Sequence, residues 1–318
     1  MISFLPETHL LINQVGIPAT HEELLCEFAA RVCYGSTDRL GSNAKFLKAK
    51  LYQTGHHSVF EHVRVLTKIK NPTGAMFSRP YRLDDLVTLA NTPGVFLKML
   101  GDWEELWVSF NLRHAINWEN YSGLLGELHE QVRWALPGIY GETPPLSYMD
   151  ASKIVADNIT LISHSLPIPE SQDLGSITVY AEGLSRAAAN QLVRHRLFSF
   201  SQESLRYVRP QAEAFVFPPI PENIPAEQKE YRADAYREAF AEATASYDDL
   251  VGTLKVNKED ARAVLPLATK TNMVVTMPYT GLKQFLHLRL SKAAQFEIRA
   301  FAENVLTLVK INDPDFTY

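Results

Sequence analysis

The sequence predicts a fold that mixes helices with strands, of the α/β or α+β class. Three segments support this prediction. Apolar side chains recur at helical intervals over residues 20–34, where Thr20 and Glu23 have the spacing of a capping box. Apolar and polar side chains alternate over residues 62–70 (HVRVLTKIK). Residues 176–181 (SITVYA) are typical of a second strand, and a helical segment follows them.

The remaining elements follow from the same periodicities. Proline and glycine at residues 71–74 (NPTG) are predicted to end the first strand. Further helices are predicted over residues 43–54, 82–91, 119–135, 183–196, 226–256, 281–290 and 293–310. No internal repeat is evident, so a repeat architecture is not expected.

Composition excludes several classes of protein. Apolar residues make up 46% and charged residues 21%, which is the balance of a globular chain rather than a disordered one. The net charge of −5 leaves no broad basic field, so long nucleic acid is not expected as a partner. No apolar run approaches the roughly 20 residues of a membrane span, and the N-terminus lacks the features of a secretory signal. Cys26 and Cys33 are expected to be reduced thiols, which favours a cytoplasmic location.

The densest group of chemically active side chains lies in residues 191–207 (QLVRHRLFSFSQESLRY). If this segment is helical, Gln191 and Arg194 share a face and Arg196 points elsewhere, so two binding partners are implied. The segment SFSQES is expected to end the helix in a turn that binds a phosphate or carboxylate, with Arg206 as a bidentate clamp. The alternative is a solvated helix end whose arginines complement the helix dipole.

A second group lies in residues 55–62 (GHHSVFEH). His56, His57, Glu61 and His62 are all ligand types, so a metal site is conceivable. Their spacing argues against it, because adjacent histidines do not easily share one ion and the helical HExxH pattern is absent. No metal is therefore predicted. The favoured interpretation is a loop that offers the Ser58 hydroxyl and other polar groups to a ligand, and uninvolved surface histidines are the alternative.

Two arginines near the C-terminus also stand out. Arg262 follows Glu259 by three residues, which permits a surface ion pair of little energetic value. Arg289 lies in line with the apolar positions Leu282 and Phe285 of a predicted helix. It must therefore extend its charged end to solvent or meet a buried anion or carbonyl.

Taken in order, these motifs resemble the flavin-dependent thymidylate synthases, the ThyX family. The resemblance is carried by RHR followed, after seven intervening residues, by Ser204, and by GHHSVFEHVRVLTKI, ARAVLPL and LKQFLHLRLSKAAQFEIR. The resemblance implies an α+β fold in which helices pack on a twisted, mainly antiparallel sheet. It also implies FAD as cofactor, NADPH and methylenetetrahydrofolate as co-substrates, and a homotetramer with sites between subunits. The expected reaction converts dUMP to dTMP without a cysteine nucleophile, and no Pro-Cys-His context occurs in this sequence.

The resemblance assigns roles to individual positions. Arg194, Ser204 and Arg289 are the expected catalytic residues, with Ser204 positioning the substrate. The expected uridylate contacts are Gln191, Arg194, Gln202, Ser204, Arg206, Arg262 and Arg289. The expected flavin contacts are His56, Ser58, Glu61, Arg194, His195, Arg196 and Ser201.

Three departures from the family pattern are evident. About 100 residues, approximately 72–175, are inserted into what is otherwise one catalytic domain of residues 1–318, and the insertion is expected to be partly helical. Pro278 to Leu282 (PYTGL) replaces the family's Asn-x-Arg-Ser-Leu, and Ala293 replaces a histidine. Two alternatives therefore stay open. One is a UMP methylase of a nucleoside-antibiotic pathway, and the other is a non-catalytic protein that binds uridylate.

Overall fold

The computed structural model describes residues 2–4, 21–41, 46–70, 83–101, 105–140, 155–156, 159–163, 172–210 and 215–318. The helices within these ranges are α1 (His21–Tyr34), α2 (Leu83–Asn91), α3 (Leu112–Asn117), α4 (Leu124–Ala135), α5 (Pro137–Tyr140), α6 (Arg186–Leu192), α7 (Ala226–Gly252), α8 (Lys258–Ala261), α9 (Tyr279–Arg289) and α10 (Phe296–Asn312). The strands are β1 (Ile2–Phe4), β2 (Arg64–Lys70), β3 (Phe96–Leu100), β4 (Glu105–Asn111), β5 (Val155–Ala156), β6 (Ile159–Ser163), β7 (Ser176–Ser185), β8 (Ser199–Gln202) and β9 (Lys270–Pro278). Shorter helical turns cover Thr37–Arg39, Leu47–Tyr52, His57–His62, Gln172–Leu174 and Arg262–Val264. The predicted α+β class is confirmed.

The strands form two antiparallel sheets. The first has the order β1-β7-β9-β8, with Val179 of β7 opposite Val275 of β9. Its alternating side chains bury Val179 and Val275 on one face, whereas Val274 faces the other. The sheet is therefore covered on both faces.

The second sheet has the order β3-β4-β2-β6-β5. Strand β2 is its centre, and all four of its other strands come from the segment predicted as an insertion. Strands β2 and β4 pair along their whole length, from Arg64 opposite Asn111 to Lys70 opposite Glu105. The segment predicted as an insertion thus extends a sheet that includes a strand outside it.

Two main hydrophobic clusters hold these layers together. One lies between the first sheet and helices α9 and α10, where Phe285 and Phe301 are fully buried. The other joins α1, β2, α3 and α4, and it also includes Val274 of the first sheet. Burying one such side chain stabilises a fold by about 2 kcal/mol. Because the second cluster contains residues from inside and outside the predicted insertion, that segment shares a core with the other described parts of the chain.

Most predicted helices are confirmed with shifts of a few residues at their ends. Helix α1 matches the expectation for residues 20–34, although Thr20 lies outside the described residues. The helix predicted over 43–54 lies partly outside the described residues, and its described part contains a π-type helical turn, Leu47–Tyr52. The predicted break at residues 71–74 also lies outside the described part of the chain. Strands β3, β4 and β6 were not expected, because their short apolar runs do not alternate clearly enough to be distinguished from helix.

One prediction near the RHR motif was wrong. Residues 183–196 were expected to form one helix, but β7 continues to Ser185 and α6 ends at Leu192. Ser185 caps α6, since its hydroxyl accepts a hydrogen bond from Ala188 N at 3.0 Å. The Glu297 carboxylate in turn accepts from the Ser185 amide and hydroxyl. The start of α6 is therefore set by a contact with α10, which local periodicity does not encode.

Within the described ranges, no helix combines the length and apolar character needed to cross a membrane.

Candidate functional site

A cavity of about 330 Å³ lies between α9 and the turn that follows α6. The turn is tight, because Arg194 N bonds to Gln191 O and His195 N bonds to Leu192 O, each three residues back. The chain must reverse here, since residues 199–202 pair with β9. The cavity is lined by Arg194, His195, Arg196, Leu197, Phe198, Gly281, Gln284, Leu288 and Arg289.

The turn differs from the predicted phosphate-binding loop. The segment SFSQ was expected to leave backbone N–H groups free for a ligand, but it forms β8 and pairs with β9. Gln191 and Arg194 also do not share a helical face, because α6 has ended by then. The ligand-binding groups that remain at this turn are therefore side chains, and Arg194 and Arg196 are both exposed.

Gly281 permits the close approach of α9 to this turn. A Cβ atom at position 281 would lie 3.0 Å from Leu197 Cβ and 3.2 Å from the Phe198 ring. A side chain at position 281 would therefore require Leu197 or Phe198 to shift by a few tenths of an ångström. Glycine lets the helix and the turn meet without such a shift.

Arg289 and His195 form the central contact of the cavity. Arg289 Nε donates a hydrogen bond to His195 Nε2 at 3.1 Å. The imidazole also stacks on Phe198 at 5.5 Å and meets the edge of Phe285 at 4.9 Å. Because Arg Nε is always a donor, His195 must accept with Nε2 and carry its proton on Nδ1.

The charge state of His195 agrees with this arrangement. Burial, and then the positive charge of Arg289, lower the pKa of His195 to about 4. The imidazole is therefore neutral near pH 7 and acts as an acceptor that orients the guanidinium. The other two nitrogens of Arg289 stay available for a ligand.

Two more predicted arginines converge on Glu259. Arg206 Nε lies 3.0 Å from a Glu259 carboxylate oxygen, and Arg262 Nε donates to the Glu259 carbonyl oxygen at 2.9 Å. The Arg206 and Glu259 side chains are both about half exposed, so their ion pair adds little to stability. The sequence spacing permitted an ion pair between Glu259 and Arg262, but in the structure the Glu259 carboxylate pairs with Arg206 instead. The carboxylate compensates the charge of Arg206, whereas Arg262 meets only a backbone carbonyl, so the group carries a net positive charge.

The residues between these two groups have mostly structural contacts. The Ser204 hydroxyl accepts from Arg206 N at 3.3 Å, and Ser204 N donates to Cys33 O at 3.1 Å. Gln202 Nε2 donates to Thr271 Oγ1 at 3.2 Å. The hydroxyl of Ser204 thus meets a backbone amide, and its positioning role stays a prediction.

The predicted flavin loop forms a third group. His56 Nδ1 lies 3.1 Å from the Tyr34 hydroxyl, and Ser58 is exposed. Glu61 pairs with Arg113 of α3. The loop therefore presents an imidazole, a hydroxyl and a paired carboxylate.

Ser201 differs from the other predicted flavin contacts, because its side chain is buried. Its hydroxyl lies 2.9 Å from His62 Nε2, and His62 Nδ1 lies 2.9 Å from Thr276 Oγ1. His62 thus links the 3-10 helix His57–His62 to strands β8 and β9. Within the described part of the chain, no group of three His, Cys, Asp or Glu side chains is placed to hold a metal ion.

The buried His62 makes stability depend on pH. Burial lowers its pKa to about 3, so below about pH 6.5 the unfolded chain binds a proton that the folded chain does not. The free energy of unfolding is therefore expected to fall by about 2 kcal/mol from this residue alone between about pH 7 and pH 5. Urea unfolding at both pH values should show that His62→Gln removes this part of the loss. His287→Gln, at an exposed site on α9, should keep the wild-type dependence, and equal behaviour of both variants would contradict the prediction.

The single chain brings the predicted residues together only in part. Arg194, His195, Arg196 and Arg289 line one cavity, Arg206 and Arg262 surround Glu259, and residues 56–61 form a separate loop. The sequence interpretation missed Gln284 and Leu288, although their spacing from Gly281 places all three on one helical face. It also missed Arg113, for which sequence spacing offers no signal because Glu61 is 52 positions away.

The model of the family described as thymidylate synthase complementing protein (Thy1) matches this chain over residues 17–78 and 170–315, which is more than half of it. The ThyX resemblance drawn from the motifs is therefore confirmed. The match is interrupted at residues 79–169, inside the segment predicted as an insertion.

Several proteins named flavin-dependent thymidylate synthase are similar to this chain. That of Geobacter sulfurreducens is 39% identical over 164 residues, which cover 51% of this chain and 67% of the relative. That of Sulfurisphaera tokodaii is 43% identical over 133 residues, covering 42% of this chain and 49% of the relative. That of Pyrococcus furiosus is 39% identical over 135 residues, covering 41% and 53%. The chain thus spans about half to two thirds of these relatives.

Two solved structures of a UMP/dUMP methylase, PolB from Streptomyces cacaoi, also overlap with this chain. The structure with 5-Br dUMP is 26% identical and has a TM-score of 0.39, covering 43% of this chain and 67% of that one. The structure with 5-Br UMP is 23% identical and has a TM-score of 0.37, covering 44% and 69%. These scores are too low to bear on fold or substrate.

Proposed function

Because this chain belongs to the family of thymidylate synthase complementing proteins, we propose that it methylates carbon 5 of a uracil nucleotide in a flavin-dependent reaction. The proposed substrate is dUMP, and the product is dTMP. The observation that carries the proposal is the contact between Arg289 and the neutral His195 in a cavity that Arg194 and Arg196 also line. The relatives named flavin-dependent thymidylate synthase favour the same reaction.

The side chains present fit an anionic dinucleotide such as FAD. Arg194 and Arg196 are exposed cations beside the cavity, and Ser58 offers a free hydroxyl position on the loop. Exposed guanidiniums bind pyrophosphate oxygens well, because they carry several donors in a fixed plane. When bound, the flavin would supply the hydride, with NADPH as reductant and methylenetetrahydrofolate as donor of the methylene group. The protein would supply orientation and charge.

Arg289 is the group that we assign to the uracil ring. His195 occupies its Nε, so the remaining guanidinium nitrogens are free to donate to a ring carbonyl. A guanidinium at that oxygen withdraws electron density from the pyrimidine and stabilises negative charge as it develops there. Carbon 6 consequently becomes more electrophilic without a covalent enzyme nucleophile.

The two cysteines are poorly suited to be that nucleophile. The pKa of the Cys33 thiol is raised, because the effect of burial outweighs the opposing effect of its hydrogen bond to Ser201. Burial, together with Glu23 and Glu22, also raises the pKa of Cys26, which is fully buried. Both thiols thus stay protonated, whereas the reactive form of cysteine is the thiolate. Their unpaired state is one reason to propose a cytoplasmic location.

Arg206 and Arg262 are the groups that we assign to the nucleotide phosphate and sugar. Arg206 pairs with the Glu259 carboxylate, and Arg262 meets only the Glu259 carbonyl oxygen, so a phosphate would supply the negative charge that Arg262 lacks. Gln191, Gln202 and Ser204 would complete the nucleotide contacts along the same segment.

We further propose that the complete site forms between subunits of the homotetramer that the family resemblance implies. The cavity of about 330 Å³ is near the lower limit for one drug-sized ligand, so it cannot enclose a flavin dinucleotide and a nucleotide together. The predicted residues also fall into separate groups on one chain. Residues from a second copy would close the site.

The proposal is tested by flavin content and by hydrogen release from carbon 5. Purified protein is expected to be yellow or to take up FAD, and to release tritium from 5-labelled dUMP when folate donor and NADPH are present. Protein that takes up no FAD would refute the flavin reaction. A parallel assay with 5-labelled UMP separates the two substrates, since preference for UMP would replace dUMP in the proposal. Nucleotide binding with neither FAD uptake nor tritium release would identify a non-catalytic uridylate-binding protein.

A further inference from the structure

We propose that Arg113, in the segment that the family model does not match, is a positioning residue for flavin binding. It acts by holding the Glu61 carboxylate on the loop assigned to the cofactor. The inference rests on the proposed flavin-dependent function, and it gives the inserted segment a part in the site. Nothing in the family match covers this segment, since the match stops at residue 78 and resumes at residue 170.

The contact joins the two parts of the chain directly. Arg113 Nη1 donates to Glu61 Oε1. The Arg113 side chain is 45% exposed and that of Glu61 is 26% exposed, so the pair lies at the surface but is not fully solvated. Five N–H groups are available on a guanidinium, and this contact uses one of them. The pair can therefore persist while a ligand lies beside it.

Helix α3 presents Arg113 from a fixed position. The Asn111 side chain accepts from His114 N at 3.1 Å, and Asn111 N donates to His114 Nδ1 at 3.2 Å, which together form a capping box. The amide of Leu112 donates to Val63 O at 2.9 Å, immediately after the loop. The helix start and the loop end are thus one hydrogen-bonded unit.

Other inserted residues clamp the opposite end of the loop. The Tyr52 hydroxyl donates to Glu119 Oε2 at 2.8 Å, and burial together with this hydrogen bond raises the pKa of Tyr52 to about 12. The Tyr140 ring meets the edge of the Tyr52 ring at 5.3 Å. Tyr52 in turn stacks on His57 at 5.7 Å. The inserted segment therefore holds residues 52–63 from both ends.

The charge of the pair explains why it matters for a flavin dinucleotide. An unpaired Glu61 carboxylate would repel the pyrophosphate of FAD, whereas pairing with Arg113 compensates its charge. Pairing also fixes the carboxylate in one orientation, so that it can accept hydrogen bonds from ligand hydroxyls at lower entropic cost. A purely structural ion pair would do neither, and this difference can be measured.

The test compares dissociation constants for FAD, measured by flavin fluorescence with flavin-free protein. Arg113→Gln is expected to weaken FAD binding about fivefold, the effect of losing about 1 kcal/mol from a partly exposed pair. Arg113→Lys should recover part of the loss, because it keeps the charge but not the fork geometry. Arg237→Gln is the matched control, since Arg237 is largely exposed and pairs with Asp234 inside its own helix α7, away from the loop. It should leave FAD binding within about twofold of wild type.

A double-substitution cycle decides whether Arg113 acts through Glu61. Once Glu61→Gln is present, adding Arg113→Gln is expected to change FAD affinity by less than about twofold. An undiminished effect in that background, or wild-type affinity for Arg113→Gln alone, would overturn the inference. If Arg113→Gln does not fold, the same comparison is made with Arg113→Lys. Wild-type FAD affinity of Arg113→Lys, with no coupling to Glu61→Gln, would also overturn the inference. Wild-type protein that binds no FAD would instead refute the proposed function, and this inference with it.

Discussion

Arg289→Ala is expected to lower kcat/KM for dUMP about 100-fold, which corresponds to about 2.7 kcal/mol of transition-state stabilisation. The guanidinium is the charged donor that we assign to the uracil carbonyl, and alanine removes it entirely. FAD affinity should change much less, because Arg194 and Arg196 remain beside the cavity. Steady-state kinetics with dUMP and fluorescence titration with FAD measure the two effects separately.

Two further variants make the Arg289 prediction specific. Arg289→Lys keeps a positive charge but has no Nε to donate to His195, so we expect only partial recovery. His287→Ala, at an exposed position of the same helix, should retain wild-type activity and thereby exclude a general effect on α9. Equal losses of dUMP and FAD affinity in Arg289→Ala would contradict the role assigned to this arginine.

His195→Phe is expected to lower kcat/KM for dUMP about 30-fold, or about 2 kcal/mol, because the Arg289 Nε group loses its acceptor. Phenylalanine keeps a ring in the place where His195 stacks on Phe198 and meets Phe285, so packing is largely preserved. The guanidinium then has no partner to hold its orientation. Kinetics with dUMP at about pH 7, where His195 is neutral in the wild type, measure the loss.

His195→Gln is the matched variant. Its side-chain oxygen can reach the position of the imidazole Nε2 and accept from Arg289. We expect it to recover at least part of the activity that His195→Phe loses. If both variants lose activity equally, the acceptor role is wrong. Thermal unfolding of both variants separates a loss of stability from a loss of orientation.

The local part of the site was predictable from sequence. The RHR motif with Ser204, the ARAVLPL segment and Arg289 in line with Leu282 occur in an order that identified the family before any geometry was known. Helices α1, α7, α9 and α10 followed from their periodicity and their end signals. These features depend on residues close together in the chain, and local spacing is what a sequence displays directly.

The contacts that join these motifs were decided by the tertiary structure. The hydrogen bond from Arg289 to His195 spans 94 positions, and the pair of Arg113 with Glu61 spans 52. Strand β8 formed where a ligand-binding turn was expected, because pairing with β9 satisfies its backbone groups better than an open loop.

The sequence alone therefore determined the family, helices α1, α7, α9 and α10, and the side chains available for chemistry. Only the tertiary structure decided which acceptor orients Arg289, which acid receives Arg206 and how the inserted segment meets Glu61. The physical reason is the same in each case. Hydrogen bonds and ion pairs depend on distances of about 3 Å, and such distances between remote residues exist only after the chain has packed.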